Sequence, residues 1–207
     1  MLISALAQIL RIKAREAPGI MLERLVLESA REFFRGSRVW RQDFGGAITA
    51  GSDAYSLTQP AGSLIHDIIY AKLVTSNTNL TYLRDASKAY LTPDWETSGV
   101  DTAYITLIDN DTFQLLPVPQ VADVIEMKMV LTLDRTATDI DDAIVEEYED
   151  VLLDGALYRL YEMPNESWTS IKLSQYHYAR FMAGTAKAKL RVEESRTPGV
   201  RVAAFNW

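Results

Sequence analysis

The apolar residues of this chain change their spacing twice along its length, and this change constrains the fold more than any other feature. Residues 1–43 and 136–194 carry apolar residues three and four positions apart, the spacing of a helix with one buried face. Residues 44–135 follow the alternating pattern of strands. We therefore predict an α+β chain. A helical bundle is formed by N- and C-terminal helices, a mainly antiparallel β domain is inserted between them, and residues 195–207 form an extended C-terminal arm.

Two helices are predicted before the β insert. The first spans residues 3–16 and ends before Pro18. The second begins at about Gly19 and runs to Arg35. Gly36 is predicted to stop it, since a glycine just after a helix readily adopts the left-handed conformation that terminates it.

Two more helices are predicted after the insert. The third follows the acidic residues 139–142, which suit the positive end of a helix dipole, and Pro164 ends it. The fourth runs from near Ser167 to about Glu193. Its predicted buried face consists of Trp168, Ile171, Tyr178, Phe181, Met182, Thr185, Ala188 and Val192.

The clearest strand signals lie in the second half of the insert. Residues 103–108 and 112–116 flank Asp109-Asn110-Asp111, and Asp and Asn are favoured in tight turns because their side chains bond to nearby backbone. This pattern predicts a β-hairpin. Residues 124–133 alternate apolar and polar side chains, which predicts a long strand with one buried face.

Charge is sorted along the chain in the same three parts. Residues 1–41 carry a net charge of +4, residues 42–168 a net charge of −16, and residues 169–207 a net charge of +5, within a total of −7. A subunit with oppositely charged regions can contact two different partners, or other copies of itself.

Composition excludes several classes of protein. The chain has no cysteine, so it holds no disulfide framework, thiolate nucleophile or cysteine-based zinc site. Its first residues are apolar without a preceding basic segment, which makes a poor signal peptide, and no apolar run approaches the roughly 20 residues that span a bilayer. The acidic composition argues against a general nucleic-acid binder.

No catalytic, cofactor or metal site is predicted. The two histidines, His66 and His177, are too few for a zinc site without cysteine, and we interpret both as structural. Residues 139–142 lack the glycine and closing glutamate of an EF-hand, and no phosphate-binding glycine loop occurs. A hydrolase that uses surface carboxylates is the alternative from another class, although the sequence singles out no pair of them.

The C-terminal arm supplies the candidate partner-binding residues: Arg201, Val202, Phe205 and Trp207. Aromatic and arginine side chains are enriched at protein interfaces. Two interpretations stay open, because the arm could dock on a neighbouring protein or fold back on its own domain.

Taken in order, several segments resemble the head-to-tail adaptor (connector) proteins of tailed phages, which bind beneath the portal. The resemblance covers nearly the whole chain. The matching segments are residues 18–40, 54–68, 112–119, 145–168 and 176–192.

The resemblance implies a virion structural protein without enzyme chemistry or cofactor. Its partners would be further copies of itself in a ring, a dodecamer in the predicted form, together with the portal and the tail tube or nozzle protein. DNA would pass through the ring without specific binding. The expected location is the virion neck, after assembly in the host cytoplasm and without a membrane. Another neck or tail-completion ring protein is the alternative within this class.

Overall fold

The structure is a computed structural model that describes residues 1–85 and 101–194. Within these residues the chain is α+β, with four helices and two mainly antiparallel sheets. It divides into two compact units. Of the described residues, one unit combines Met1–Val39 with residues 137–194, and the other lies within Trp40–Thr136.

The first unit contains the helices. The α2 helix contacts the other three, and α3 also contacts α1 and α4. The large side chains Phe33, Phe34 and Phe181 are completely buried in this unit. The helices are α1 (Ile3–Arg11), α2 (Gly19–Ser37), α3 (Asp142–Glu162) and α4 (Ile171–Glu194).

The second helix does not end where its glycine predicts. It runs to Ser37, and Arg38 takes the left-handed conformation, with a φ of 58°. Gly36 instead lies where α2 meets α4, because a Cβ on Gly36 would come within 2.8 Å of Thr185 Cγ2. The predicted helix stop at Gly36 was therefore wrong, since this glycine is needed for close helix packing. The first helix is also shorter than predicted and ends at Arg11.

The start and end of α3 follow the predicted signals. The carboxylate of Asp141 accepts a hydrogen bond of 2.9 Å from the backbone N–H of Ala143, which caps the helix. Asp142 occupies the first turn, where a negative charge is stabilised by the dipole. At the other end, Met163 is extended and Pro164 follows it.

The buried face of α4 differs from the prediction. The helix begins at Ile171 and buries Ser174, Phe181, Thr185 and Ala188. Three residues of the predicted face are exposed, with Ile171 at 73 %, Tyr178 at 47 % and Met182 at 45 %. Apolar residues occur around much of this helix, so spacing alone did not identify the side on which α2 and α3 pack.

The second unit contains two four-stranded sheets. One has the order β1-β8-β3-β4 and is antiparallel, and the other has the order β2-β7-β6-β5, in which only β5 and β6 are parallel. The strands are β1 (Arg41–Ile48), β2 (Ala54–Ser56), β3 (Ser63–Leu73), β4 (Thr78–Asn79), β5 (Thr81–Leu83), β6 (Tyr104–Leu107), β7 (Thr112–Leu116) and β8 (Asp123–Leu133).

The two sheets share one apolar core. The alternation predicted for residues 124–133 is confirmed as far as Met129, because Ile125, Met127 and Met129 are at most 2 % exposed and the residues between them are not buried. From Val130 to Leu133 every residue is buried, so the predicted single buried face is wrong for this end of the strand. Phe113 of β7 stacks on Tyr55 at 5.3 Å and meets Phe44 edge-on at 6.1 Å. The residues that β8 contributes to this core are Ile125, Met127, Met129 and Leu131.

The predicted hairpin is confirmed by the pairing of β6 with β7. In its turn, the carboxylate of Asp109 accepts a hydrogen bond of 2.8 Å from the backbone N–H of Asp111. The side-chain oxygen of Asn110 accepts another of 2.8 Å from the N–H of Ile65 in β3. The turn therefore ties its own sheet to the other one.

Asp123 stabilises the turn after β3. Its carboxylate accepts hydrogen bonds from the backbone N–H groups of Thr75, Ser76 and Val124 at 2.7, 3.0 and 2.6 Å. Burial alone raises the pKa of Asp123, but hydrogen bonds from Ser76, Val124 and Thr75 outweigh this effect and hold the pKa well below its usual range. The ionised carboxylate is therefore the form that the folded state favours.

Replacing Asp123→Asn should lower the free energy of unfolding at pH 7 by roughly 1 kcal/mol, a value reduced for solvent exposure. A lowered pKa stabilises the fold above the unfolded-state value of about 4, and this contribution is lost as the pH falls toward the folded-state pKa. Urea unfolding at pH 7 and pH 3 should show a difference between variant and wild type that shrinks at pH 3. The control is the exposed Asp101→Asn. An equal effect of both variants at pH 7 would contradict this assignment.

Candidate functional site

The four residues predicted to bind a partner, Arg201, Val202, Phe205 and Trp207, lie outside the described residues. Their role stays a prediction. Among the described residues, clusters of interacting charged and aromatic side chains lie mainly between α3 and α4.

A buried carboxylate joins α3 to α4. The side chain of Asp154, on α3, is 8 % exposed. Its Oδ1 lies 2.7 Å from Nδ1 of His177, and its Oδ2 lies 2.9 Å from Nε of Arg180, both on α4. Because a buried carboxylate is costly without partners, these contacts explain how Asp154 is tolerated among apolar side chains.

Aromatic rings enclose the histidine of this cluster. The imidazole of His177 stacks on Tyr161, with ring centres 5.6 Å apart and an angle of 24°. Tyr176 meets the imidazole edge-on at 5.1 Å, and the guanidinium of Arg180 lies 5.6 Å from the Tyr176 ring. Both carboxylate oxygens and one imidazole nitrogen are engaged, so the arrangement fixes two helices together.

Sequence reasoning identified His177 as structural but missed its partner. The available signal was a charged residue, Asp154, within an apolar segment of α3. The other histidine, His66, lies half-buried on β3. Across the described ranges, no three His, Cys, Asp or Glu side chains group closely enough to hold a metal ion.

A second polar cluster joins α2 to α3. Arg159 forms an ion pair with Glu32 and donates a hydrogen bond of 2.6 Å to the carbonyl of Gly155. Its guanidinium also lies 4.5 Å from the centre of the Tyr158 ring, and the Tyr158 hydroxyl donates to Glu32 at 3.3 Å. Burial, opposed by the charge of Arg159 and assisted by Glu32, raises the pKa of Tyr158 to about 12. Tyr158 therefore remains a protonated donor.

The surface cavities on the described part of the helical unit include two that involve α3. One, of about 310 Å³, is lined by Met1, Val145 and acidic residues of α3 that include Glu146 and Glu149. The other, of about 170 Å³, lies between α3 and α4. Its apolar part is formed by Tyr148, Val151, Gly184 and Ala188, and its charged part by Glu147, Lys187 and Arg191.

The opposite charges noted in the sequence meet between these two helices. Glu147 of α3 pairs with Arg191 of α4, as Asp154 pairs with Arg180. Exposed charges remain on both helices, including Glu146 on α3 and Lys187 on α4. Among the described helices, none is both long and apolar enough to cross a membrane.

Comparison with known proteins identifies a family for this chain. No curated protein matches the sequence. The family model described as SU10 adaptor protein matches residues 2–203, nearly the full length of the chain. The chain therefore belongs to the SU10 adaptor protein family, a family of phage head-to-tail adaptors.

Proposed function

We propose that this protein is a virion structural subunit that forms a ring between the portal and the tail. The observation that carries the proposal is the family match over residues 2–203. An adaptor family implies a structural role in the virion neck, with contacts to portal and tail proteins. The proposed function includes a dodecameric ring, a tail tube or nozzle partner and a channel for DNA.

The division into two compact units supports this role. In the proposed arrangement the four helices form a bundle and the β unit is an insert within it, with residues 195–207 as an extended arm. A subunit that joins two structures needs separate surfaces for each of them. Two units with their own cores can provide such surfaces without disturbing one another.

Charge supports the passage of DNA without specific binding. The chain has a net charge of −7, and residues 42–168 carry a net charge of −16. A ring of such subunits presents negative charge to the DNA backbone, which disfavours adhesion.

The proposal is tested by the mass of the purified protein mixed with the portal of its own phage. We expect a complex that contains many copies of this chain on each portal assembly, measured by native mass spectrometry. The matched comparison is the same measurement on this protein mixed with the tail tube protein in place of the portal. Absence of any complex with either partner would contradict the proposed function.

Deleting residues 199–207 should weaken attachment to the portal while changing the thermal midpoint little. The physical reason is that Phe205 and Trp207 would each bury on the order of 150–250 Å² in a partner groove, and Arg201 can pair with a carboxylate at the same surface. Portal pull-down and thermal unfolding measure the two effects separately. A markedly lower melting temperature would instead place the arm in the core of its own domain.

A further inference from the structure

An exposed apolar line runs along α4. Residues spaced alternately three and four apart form this line, which we name the α4 seam: Tyr176, Ala179, Ala183, Ala186 and Leu190. All five are exposed, with Tyr176 at 54 % and Leu190 at 58 %. This spacing is the pattern by which one helix packs along another in a coiled coil.

The α4 seam lies on the opposite side of the helix from the core of its own subunit. Phe181 and Ala188, which occupy the opposite positions of the seven-residue repeat, are 0 % and 2 % exposed. The alanines at the centre of the seam allow a second helix to approach closely. One side of α4 therefore packs in the core of its own subunit, and the opposite side carries an exposed apolar line that a second helix could contact.

Charge indicates what packs on the seam. The exposed Lys187 and Lys189 flank it, and Lys189 also pairs with Glu193 one turn further along α4. Two α4 helices packed seam to seam would bring these positive charges together, which disfavours that pairing. The complementary surface on this chain is an exposed line on the first half of α3, formed by Ala143, Glu146 and Asp150, which we name the α3 acidic stripe.

We infer that the α4 seam of one subunit docks on the α3 acidic stripe of a second copy of this chain. The inference rests on the proposed function and names the contact between neighbouring copies. Because the seam and the stripe are different surfaces, repeating the contact gives each copy one neighbour on either side, and such a contact closes into a ring when its rotation permits. The apolar seam supplies buried area, and pairs such as Lys187 with Glu146 fix the partner.

Cross-linking tests this contact directly, because the chain contains no cysteine of its own. One full-length variant carries Ala183→Cys and a second carries Ala143→Cys, and the two are mixed on the portal with a short bismaleimide. We expect dimers that contain one copy of each variant. The matched control replaces the exposed Arg24→Cys on α2, and it should not cross-link with either variant.

Single substitutions in the α4 seam and beside it should weaken self-association. Leu190→Asp should weaken it by roughly tenfold or more, since an exposed leucine loses its buried contact. Lys187→Glu should weaken it by roughly threefold to tenfold, and adding Glu146→Lys to the same chain should restore it. Sedimentation of the full-length variants measures both effects.

Four outcomes would overturn the inference. Ala183→Cys protein that cross-links to itself as strongly as to Ala143→Cys would show α4 packing on α4. A cross-link within one chain that carries Ala183→Cys and Phe205→Cys would show that its own C-terminal segment covers the seam. Multi-copy assemblies on the portal without the expected cross-link would reject this contact while the proposed function stands, whereas absence of multi-copy assembly would reject both.

Discussion

Replacing Gly155→Ala should destabilise the helical unit by about 2–3 kcal/mol, although alanine is the better helix former. A Cβ at this position of α3 would lie 2.1 Å from Oγ of Ser29 on α2 and 2.7 Å from ring atoms of Phe181 on α4. Ser29 and Phe181 are both completely buried, so neither can move into solvent. The added methyl group would also displace the hydrogen bond of 2.7 Å that Ser29 donates to the carbonyl of Leu152.

The matched control is Gly19→Ala at the start of α2, where an added Cβ meets nothing within 4 Å. Thermal and urea unfolding of both variants measure the effect. Adding Ser29→Ala to Gly155→Ala should recover part of the loss, because it removes the closer of the two clashing groups. A Gly155→Ala protein as stable as the Gly19→Ala protein would contradict the packing described for α2, α3 and α4.

Replacing Asp154→Asn should lower the free energy of unfolding by about 2 kcal/mol. The asparagine keeps the shape of the side chain but loses the charge that His177 and Arg180 share. Its amide group can also accept a hydrogen bond through only one of its two polar atoms. Because this pair of contacts holds α4 against α3, the substitution should also weaken assembly through the α4 seam.

Two further variants distinguish the contribution of the buried Asp154 cluster to stability from the general effect of removing a charge. Glu146→Gln removes an exposed carboxylate from the same helix and should change stability little. Arg180→Gln should have a smaller effect than Asp154→Asn, since the Arg180 side chain is 49 % exposed and can be solvated. If Asp154→Asn and Glu146→Gln unfold alike, the ionic cluster does not stabilise the fold.

The sequence predicted those elements whose signals are local. The alternation in the first part of β8, the turn at Asp109-Asn110-Asp111 and the acidic start of α3 each depend on neighbouring residues, and all three are confirmed. The strand β1 was less clear, because Gly45 and Gly46 interrupt its alternation and it is recognised by its pairing with β8.

Features that depend on contacts between distant segments were missed. Gly36 resembles a helix stop in sequence, yet its role is set by Thr185 across the helix interface. The outward side of α4 could not be distinguished from its buried side, since both carry apolar residues. Asp154 gave no sign of its partners, which lie more than twenty residues away.

The order of segments along the chain was sufficient to predict the family and its structural role. The predicted arm residues remain a prediction. The α4 seam was not foreseen, because the sequence analysis assigned one buried face to the fourth helix and no contact to the opposite face. An interface that forms only between copies leaves no contact within one chain, so exposure of apolar side chains on the folded subunit is the first signal of it.

We propose that this protein joins the phage head to its tail. Electron microscopy of particles from a phage that lacks this chain tests the proposed function most directly, with the same phage complemented by the full-length chain as the comparison. We expect DNA-packaging heads and free tails that remain separate, and joined virions after complementation. Joined, infectious particles assembled without the chain would contradict the proposed function.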